Sequence, residues 1–489
     1  MLSVIFYFAC VGTLMTVSLL GPIGVALLGG EMAIAQRFSV YALLAAFVFV
    51  TPIIAIRGRL GPTPQVARLL LVVVVWCVLP LFAAVPFMDL ANLTFMDALF
   101  EAVSGLTTTG ASTLKTVEVW PQALLFWRVQ LQWLGGYLAL LTIVMIVAPL
   151  GIGGLTARTA VLINKGDLAL GQGRVLGFAS NLGLVYLLIT GACVVLLFLS
   201  GHRAYFSVTL AMTSVSTGGF LPFDGSLDEV VSPFGLVIMG AFLLLGATSV
   251  FWQRMILKGR SARVREHRES YFVMGLAGVL TLVFAFRLAQ LYGGGLAPFG
   301  SGMVEGFLAA SSLVATSGIE SRPGVLSLLP LVLVLFIVLV GGSAYSTSGG
   351  LKQYRIGGML VQSWSELDRL IYPHGVRPSH FGSQKYDLEL IKAIWSFFIA
   401  AIGTIVVATT LLSATGLTFE AALTATVAAF ATAGPIYLAG FEAEGAAAWP
   451  HYADMTAVAK STLIVTMILG RVEILTVIGL VSVRYWRNR

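Results

Sequence analysis

The chain has 489 residues, 58% of them hydrophobic and 10% charged, with a formal net charge of +7 and mean hydropathy +0.94. That hydropathy excludes a soluble globular domain and indicates a polytopic membrane protein. The positive balance follows membrane topology, described below, and is not a sign of nucleic-acid binding.

A membrane-spanning helix needs about 20 apolar residues. Spans are predicted at 2–29, 38–56, 67–88, 121–149, 175–200, 233–256, 270–292, 326–345, 388–413 and 455–483. The first run lacks a basic leader and is long enough to cross and stay, so it does not read as a signal peptide. Cys10, Cys77 and Cys193 lie singly in apolar runs, with no Cys-x-x-Cys, and read as small buried residues.

Four further apolar segments, 94–107, 204–215, 303–316 and 418–431, are too short to cross. Each ends at a Gly-centred stretch: Thr107-Thr108-Thr109-Gly110-Ala111-Ser112, Val215-Ser216-Thr217-Gly218-Gly219, Ala315-Thr316-Ser317-Gly318-Ile319 and Ala431-Thr432-Ala433-Gly434-Pro435. The glycines at 110, 218, 318 and 434 stand 108, 100 and 116 residues apart. Each has a hydroxyl residue two positions earlier: Thr108, Ser216, Thr316 and Thr432. Upstream, Leu93-Thr94-Phe95 recurs as Leu417-Thr418-Phe419, and Ala98, Leu99 and Val103 match Ala422, Leu423 and Val427. Glu305 stands in register with Asp97. One such stretch alone would be an ordinary loop or helix-packing surface; near-constant repetition marks a repeated unit.

A half-helix that stops at membrane depth is tolerated only where its exposed backbone lines a watery path or is buried in protein. The expected fold is therefore an all-α polytopic membrane protein. Two opening helices (1–60) precede four helix–half-helix–filter–helix repeats, at 61–160, 161–260, 261–375 and 376–489. Gly lets the chain turn its carbonyls toward an axis, where they replace a cation's water shell. The half-helix C-termini add negative dipole ends. Neutral oxygens at 107–110, 215–218, 315–318 and 431–434 suit a large monovalent ion; a divalent site more often uses carboxylates.

Opposite the filters, the loops between spans hold 20 of the 29 basic residues, which makes that side cytoplasmic. The filter side is acidic, with Asp97, Glu101, Asp224, Asp228, Glu305, Glu320 and Asp454 among others. These acids either concentrate cations or simply remain where bases are excluded. The inner segment 351–386, with Trp364, Tyr372, His374 and His380, suits either a partner's surface or a plain connector.

The eighth span runs into Gly341-Gly342-Ser343-Ala344-Tyr345-Ser346-Thr347-Ser348-Gly349-Gly350, then Leu351-Lys352, a composition that breaks helices. It reads as a flexible gate below the filter. If the helix ended near 342, it would instead read as a loop at the membrane surface. Arg471 and Glu473 lie inside the last span, where a charge is costly. Each is either functional or held in a buried pair, Glu473 with Arg128 for example.

Trp127-Arg128, Gln132-Trp133-Leu134-Gly135-Gly136, the four filter stretches, the 341–352 loop and Ile468-Leu469-Gly470-Arg471-Val472-Glu473-Ile474 together resemble the Trk/Ktr/HKT superfamily of potassium transporters. The resemblance runs from about residue 60 to the end, and the opening pair resembles that of bacterial Trk-type members. It implies a pseudo-fourfold pore for K+, filters facing outward from the bacterial inner membrane, and a homodimer. It also implies a cytoplasmic nucleotide-binding regulatory subunit, RCK/TrkA-like, that opens the gate. Under it Gly110, Gly218, Gly318 and Gly434 are the filter glycines, flanked by Thr108, Thr109, Ser216, Thr217, Thr316, Ser317, Thr432 and Ala433. The gate comprises Gly341, Gly342, Ser343, Tyr345, Thr347, Gly349, Gly350 and Lys352, with Arg471 facing the pore. Tyr345 is bulkier than the small residues usual there, and the fourth filter has little side-chain oxygen. The expected function is gated potassium uptake; symport with Na+ or H+ is the alternative. No organic cofactor is implied. A membrane-embedded enzyme would need a nucleophile–base set or metal ligands at depth. The five histidines read as loop residues instead.

Overall fold

The computed structural model describes residues 2–61, 64–147, 172–257, 259, 268–293, 295–371, 380, 381, 384, 385, 388–441 and 448–481. Tyr372 and His374 of the inner segment lie outside them, as do Arg158, Lys165, Arg377 and Arg484 among the 20 basic residues of the cytoplasmic side.

The opening unit is α1 (Leu2–Ser18), α2 (Leu20–Leu28) and α3 (Met32–Ile56), so the first expected span is interrupted at Leu19. Gly12 lets α1 approach Phe49 on α3, and Phe49 stacks edge-on against both Phe8 and Phe82. The first repeat follows as α4 (Gln65–Ala83), α5 (Val85–Leu90), the half-helix α6 (Phe95–Leu106) and α7 (Gln122–Thr142). Repeat two is α8 (Gln172–Leu199), the half-helix α9 (Ala204–Ser216), the short α10 (Leu227–Val230), α11 (Pro233–Ala247) and α12 (Val250–Leu257). Repeat three is α13 (Arg268–Leu291), the half-helix α14 (Leu296–Val314), α15 (Leu331–Val340) and α16 (Gln353–Ile371). The last repeat is α17 (Leu388–Ala414), the half-helix α18 (Phe419–Phe430), α19 (Ala457–Val472) and α20 (Ile474–Val481). Two-residue strands, His380–Phe381 and Gln384–Lys385, pair antiparallel within the inner segment and leave the all-α class intact.

Among the described residues six stretches are long and apolar enough to cross a membrane, or seven if the bent pair α11–α12 is one span, against ten expected. The physical reasons are local. α7 carries Arg128, Gln130 and Gln132. The span expected at 233–256 bends by 108° between α11 and α12. The eighth ends at Val340, and the tenth breaks at Glu473, whose φ is +65°. Cys193 is buried as expected, whereas Cys77 is exposed on the outer surface of α4.

The upstream sequence repeat marks helix starts. Thr94 Oγ1 accepts from Asp97 N at 3.3 Å, and Thr418 Oγ1 accepts from Ala421 N at 3.4 Å. Each caps its half-helix by satisfying an orphan amide.

A second repeat-wise contact sets how close the helices come. A Cβ on Gly135 would collide with Leu106 O, one on Gly246 would lie 2.9 Å from Val215 O, and one on Gly470 would collide with Phe430 O. In three repeats, therefore, a glycine of the following helix lets the last carbonyls of the half-helix approach its backbone.

Candidate functional site

Each half-helix ends in the same way. Thr108, Thr217, Thr316 and Thr432 take left-handed backbone, with φ of 60°, 53°, 58° and 57°. That region is uncommon for a β-branched residue and costs about 1–3 kcal/mol. Four equal outliers mark one conserved turn within the chain. The next amide then bonds back five residues: Thr109 N to Ser104 O at 2.8 Å, Gly218 N to Thr213 O at 3.0 Å, Ser317 N to Ser312 O at 2.9 Å and Ala433 N to Ala428 O at 2.7 Å.

This turn corrects the register of the second repeat. Thr217, not Ser216, is the counterpart of Thr108, Thr316 and Thr432. Gly218 then matches Thr109, Ser317 and Ala433, and Gly219 takes the place of Gly110, Gly318 and Gly434. Side chains agree: Ser104 Oγ donates to Ala111 O at 2.6 Å, and Thr213 Oγ1 donates to Phe220 O at 2.8 Å. The corrected spacings are 109, 99 and 116 residues.

The four strands after these turns meet around one axis. A Cβ on Gly110 would lie 2.5 Å from Gly219 Cα, and one on Gly318 would lie 3.0 Å from Ile436 Cγ1. Gly434 N donates to Thr109 O at 2.7 Å, and Ser317 Oγ donates to Gly218 O. Pro435 reaches across to Gly219. The C-terminal ends of α6, α9, α14 and α18 surround this cluster and supply negative dipole ends. The hydroxyls of Thr108 and Thr432 are buried without a hydrogen-bond partner.

Below lies the 341–352 loop. Its helix stops at Val340, the condition under which the stretch would read as a loop at the membrane surface. The loop is instead buried from Gly341 to Arg355. Ser343 N and Thr347 N donate to Ala247 O (2.9 Å) and Gly246 O (3.2 Å), and Val250 N donates to Tyr345 O at 3.0 Å. The loop thus satisfies backbone groups freed by the bend between α11 and α12, which water cannot reach. Tyr345 packs edge-on against Phe251, 5.1 Å between centroids. Toward the filters, Thr347 Oγ1 lies 3.3 Å from Thr217 Oγ1, and Gly349 N donates to Thr316 Oγ1 at 2.7 Å. Gly349 also lies against Thr432. Glu269, on α13, accepts from Ala344 N. Leu351 N closes the loop onto Leu339 O at 2.7 Å, and Gln353 N onto Gly342 O at 3.0 Å.

Charged partners differ from expectation. Arg128 pairs with Glu101 at 3.0 Å and lies over Phe220, 3.6 Å from its ring centroid. Glu473 pairs with Arg355 at 2.7 Å. Arg471 Nη1 donates to Ser348 O at 3.3 Å, while its Nε and Nη2 are buried without partners. Lys352 and Arg355, two of the 20 bases that the sequence puts on the cytoplasmic side, are buried in this cluster. The outer acids are largely committed: Asp97 to Lys460 at 2.5 Å, Asp454 to Lys115 at 2.7 Å, Asp228 and Glu305 to Arg322, and Asp224 to Val117 N at 2.8 Å. Glu320 accepts from Leu326 N at 2.9 Å. Asp97, Glu101, Asp228, Glu305 and Asp454 thus each face a basic side chain, which lowers the charge they leave for steering. Sequence reading missed Gly219, Glu269 and the α11–α12 seat. Only the adjacent glycine of the pair 218–219 carried a signal for any of them.

Four half-helices, four matched turns and a buried loop define the class: a single-chain, four-repeat membrane pore protein. Residues 64–486 match the TrkH family, described as cation transport protein, and the chain belongs to that family. It is thereby a transport protein and not an enzyme. It is 33% identical over 441 residues to the Trk system potassium uptake protein TrkH of Salmonella typhimurium, covering 88% of each chain. The protein of the same name in Escherichia coli K12 is 32% identical over 437 residues, with 88% of each covered. The crystal structure of the potassium transporter TrkH from Vibrio parahaemolyticus superposes with a TM-score of 0.81 at 27% identity, covering 99% of both chains.

Proposed function

We propose that this chain takes up potassium across the bacterial inner membrane through a gated, selective, channel-like pore. The carrying observation is the ring of four matched threonine turns closed from below by a buried loop. In this reading the carbonyls and hydroxyls of Thr108, Thr109, Gly110, Thr217, Gly218, Gly219, Thr316, Ser317, Gly318, Thr432, Ala433 and Gly434 replace the ion's water. Ser216 lies one residue earlier, in the last turn of α9. The loop from Gly341 to Lys352 is the gate, and Arg471 sets a positive barrier beneath the filter. Potassium is the cargo, and the chain needs no organic cofactor. The filters face outward, the repeats divide near residues 60, 160, 260 and 375, and the unit pairs as a homodimer. A TrkA-like nucleotide-binding subunit moves the gate from the cytoplasm. The names of the relatives support potassium as the ion.

Symport with Na+ or H+ is the weaker reading, because its candidate carboxylate, Glu473, is engaged by Arg355. The test of selectivity is Gly110→Ser. Gly110 has φ +76°, and a side chain there meets Gly219 in the neighbouring filter. The substitution should weaken preference for potassium over sodium, measured as bi-ionic flux. Unchanged preference would remove Gly110 from the filter.

A further inference from the structure

The loop holds an oxygen cluster whose occupant is part of the chain. Lys352 Nζ donates to Ser348 O and lies 3.4 Å from both Ser346 Oγ and Ser348 Oγ. Those two hydroxyls are 2.7 Å apart. Arg471 Nη1 reaches the same Ser348 carbonyl. Lys352 is only 5% exposed. An ammonium at such depth is costly unless its protons are bonded. The carboxylates within Coulombic reach are Glu269 and Glu473. Both are engaged elsewhere, by Ala344 N and by Arg355. The ammonium is therefore bonded by neutral oxygens, the same donor chemistry as the filter.

The cluster also lies in line with the filter. Residues on either side of Ser348 touch three of the four filter threonines: Thr347 meets Thr217, and Gly349 meets Thr316 and Thr432. An ammonium and a potassium ion have nearly the same size. Lysine's ammonium is a compact charge with three donors on a flexible stem, so it can leave such a site as a unit.

We infer that Ser346 Oγ, Ser348 Oγ and Ser348 O form a cation site, held in this structure by the chain's own Lys352 ammonium, which a permeating ion of potassium's size occupies once the lysine withdraws. This rests on the potassium-pore reading above. Lys352 then acts as a competitor for ion ligands, a role different from the distance-dependent repulsion by Arg471. It also makes the gate sensitive to its own cargo, because an ion arriving at the cluster and the lysine exclude each other.

The test uses rubidium anomalous diffraction on the full chain, wild type and Lys352→Met, with rubidium flux into proteoliposomes from the same preparations. Rubidium should appear at the filter in both proteins and at the Ser346–Ser348 oxygens in the variant alone, with basal flux raised several-fold. Filter peaks without a loop peak in the variant overturn this inference and spare the pore reading; no peak at either place overturns both. If Lys352→Met does not fold, Lys352→Gln keeps a polar stem and removes the competing charge while leaving the oxygens in place. Flux should then rise several-fold; unchanged flux in a folded Lys352→Gln overturns the inference.

Discussion

Arg471 illustrates how a single side chain separates a barrier from a structural pair. Among the described residues no carboxylate bonds it, and two of its nitrogens have no partner. Its removal strands no acid, so the loss of several kcal/mol expected on breaking a buried pair does not arise. Arg471→Ala should fold with a melting temperature near that of the wild type and should raise rubidium flux at low driving force. Its potassium over sodium preference should stay near the starting value, because in the proposed filter the carbonyls above set it. Melting in detergent and flux on one preparation check this; an unstable variant without flux contradicts it. The sequence located the charge but not its neighbours, because hydropathy reports depth and not azimuth. Arg128 accordingly finds Glu101 on the adjacent half-helix, and Glu473 finds Arg355 beyond the loop. The threonine turns were legible in three repeats. The second was read one residue early because Ser216-Thr217 and Gly218-Gly219 are each chemically doubled, and only backbone geometry distinguishes the two registers.

Helices and loops were legible where period and length sufficed, and illegible where a tertiary partner stops them. The bend at Thr248-Ser249 has no Pro or Gly at its centre. It is held by the loop that hydrogen-bonds Gly246 O, Ala247 O and Val250 N. The closing glycines have a sharper consequence. Gly135→Ala and Gly470→Ala each drive a methyl into a half-helix carbonyl. Backbone cannot yield there as a flexible side chain could, so each should destabilise the fold by about 1–3 kcal/mol or more. Thermal melting of the purified variants measures it, and a melting temperature equal to wild type contradicts the packing account. The loop itself is a separate element. Deleting residues 343–349 removes contacts to three filter threonines and should raise basal rubidium flux. Lower flux from a folded variant would mean that the loop supports the pore and does not close it.

Across the chain, the 341–352 loop joins parts that the sequence lists far apart. It touches the turn threonines of the second, third and fourth repeats, the α11–α12 bend, Glu269 at the start of α13 and Arg471 at the end of α19. The α11–α12 bend, the start of α13 and the end of α19 therefore all bear on this one loop. The opening helices stand apart from this hub, packed on α4 and α7, where Gly21 on α2 sits against Phe126 and Gln130. Four-fold repetition was readable from the glycine stretches alone. The convergence of the loop was not, since it depends on contacts between residues about a hundred positions apart. Under the proposed channel-like reading, the pore conducts whenever the gate allows and needs no second gradient. The most direct measurement is rubidium uptake into proteoliposomes under an imposed membrane potential, without Na+ or H+ gradients. Uptake should follow the potential alone and rise in the loop deletion. Uptake that requires a Na+ or H+ gradient, in wild type and deletion alike, would contradict the channel-like account.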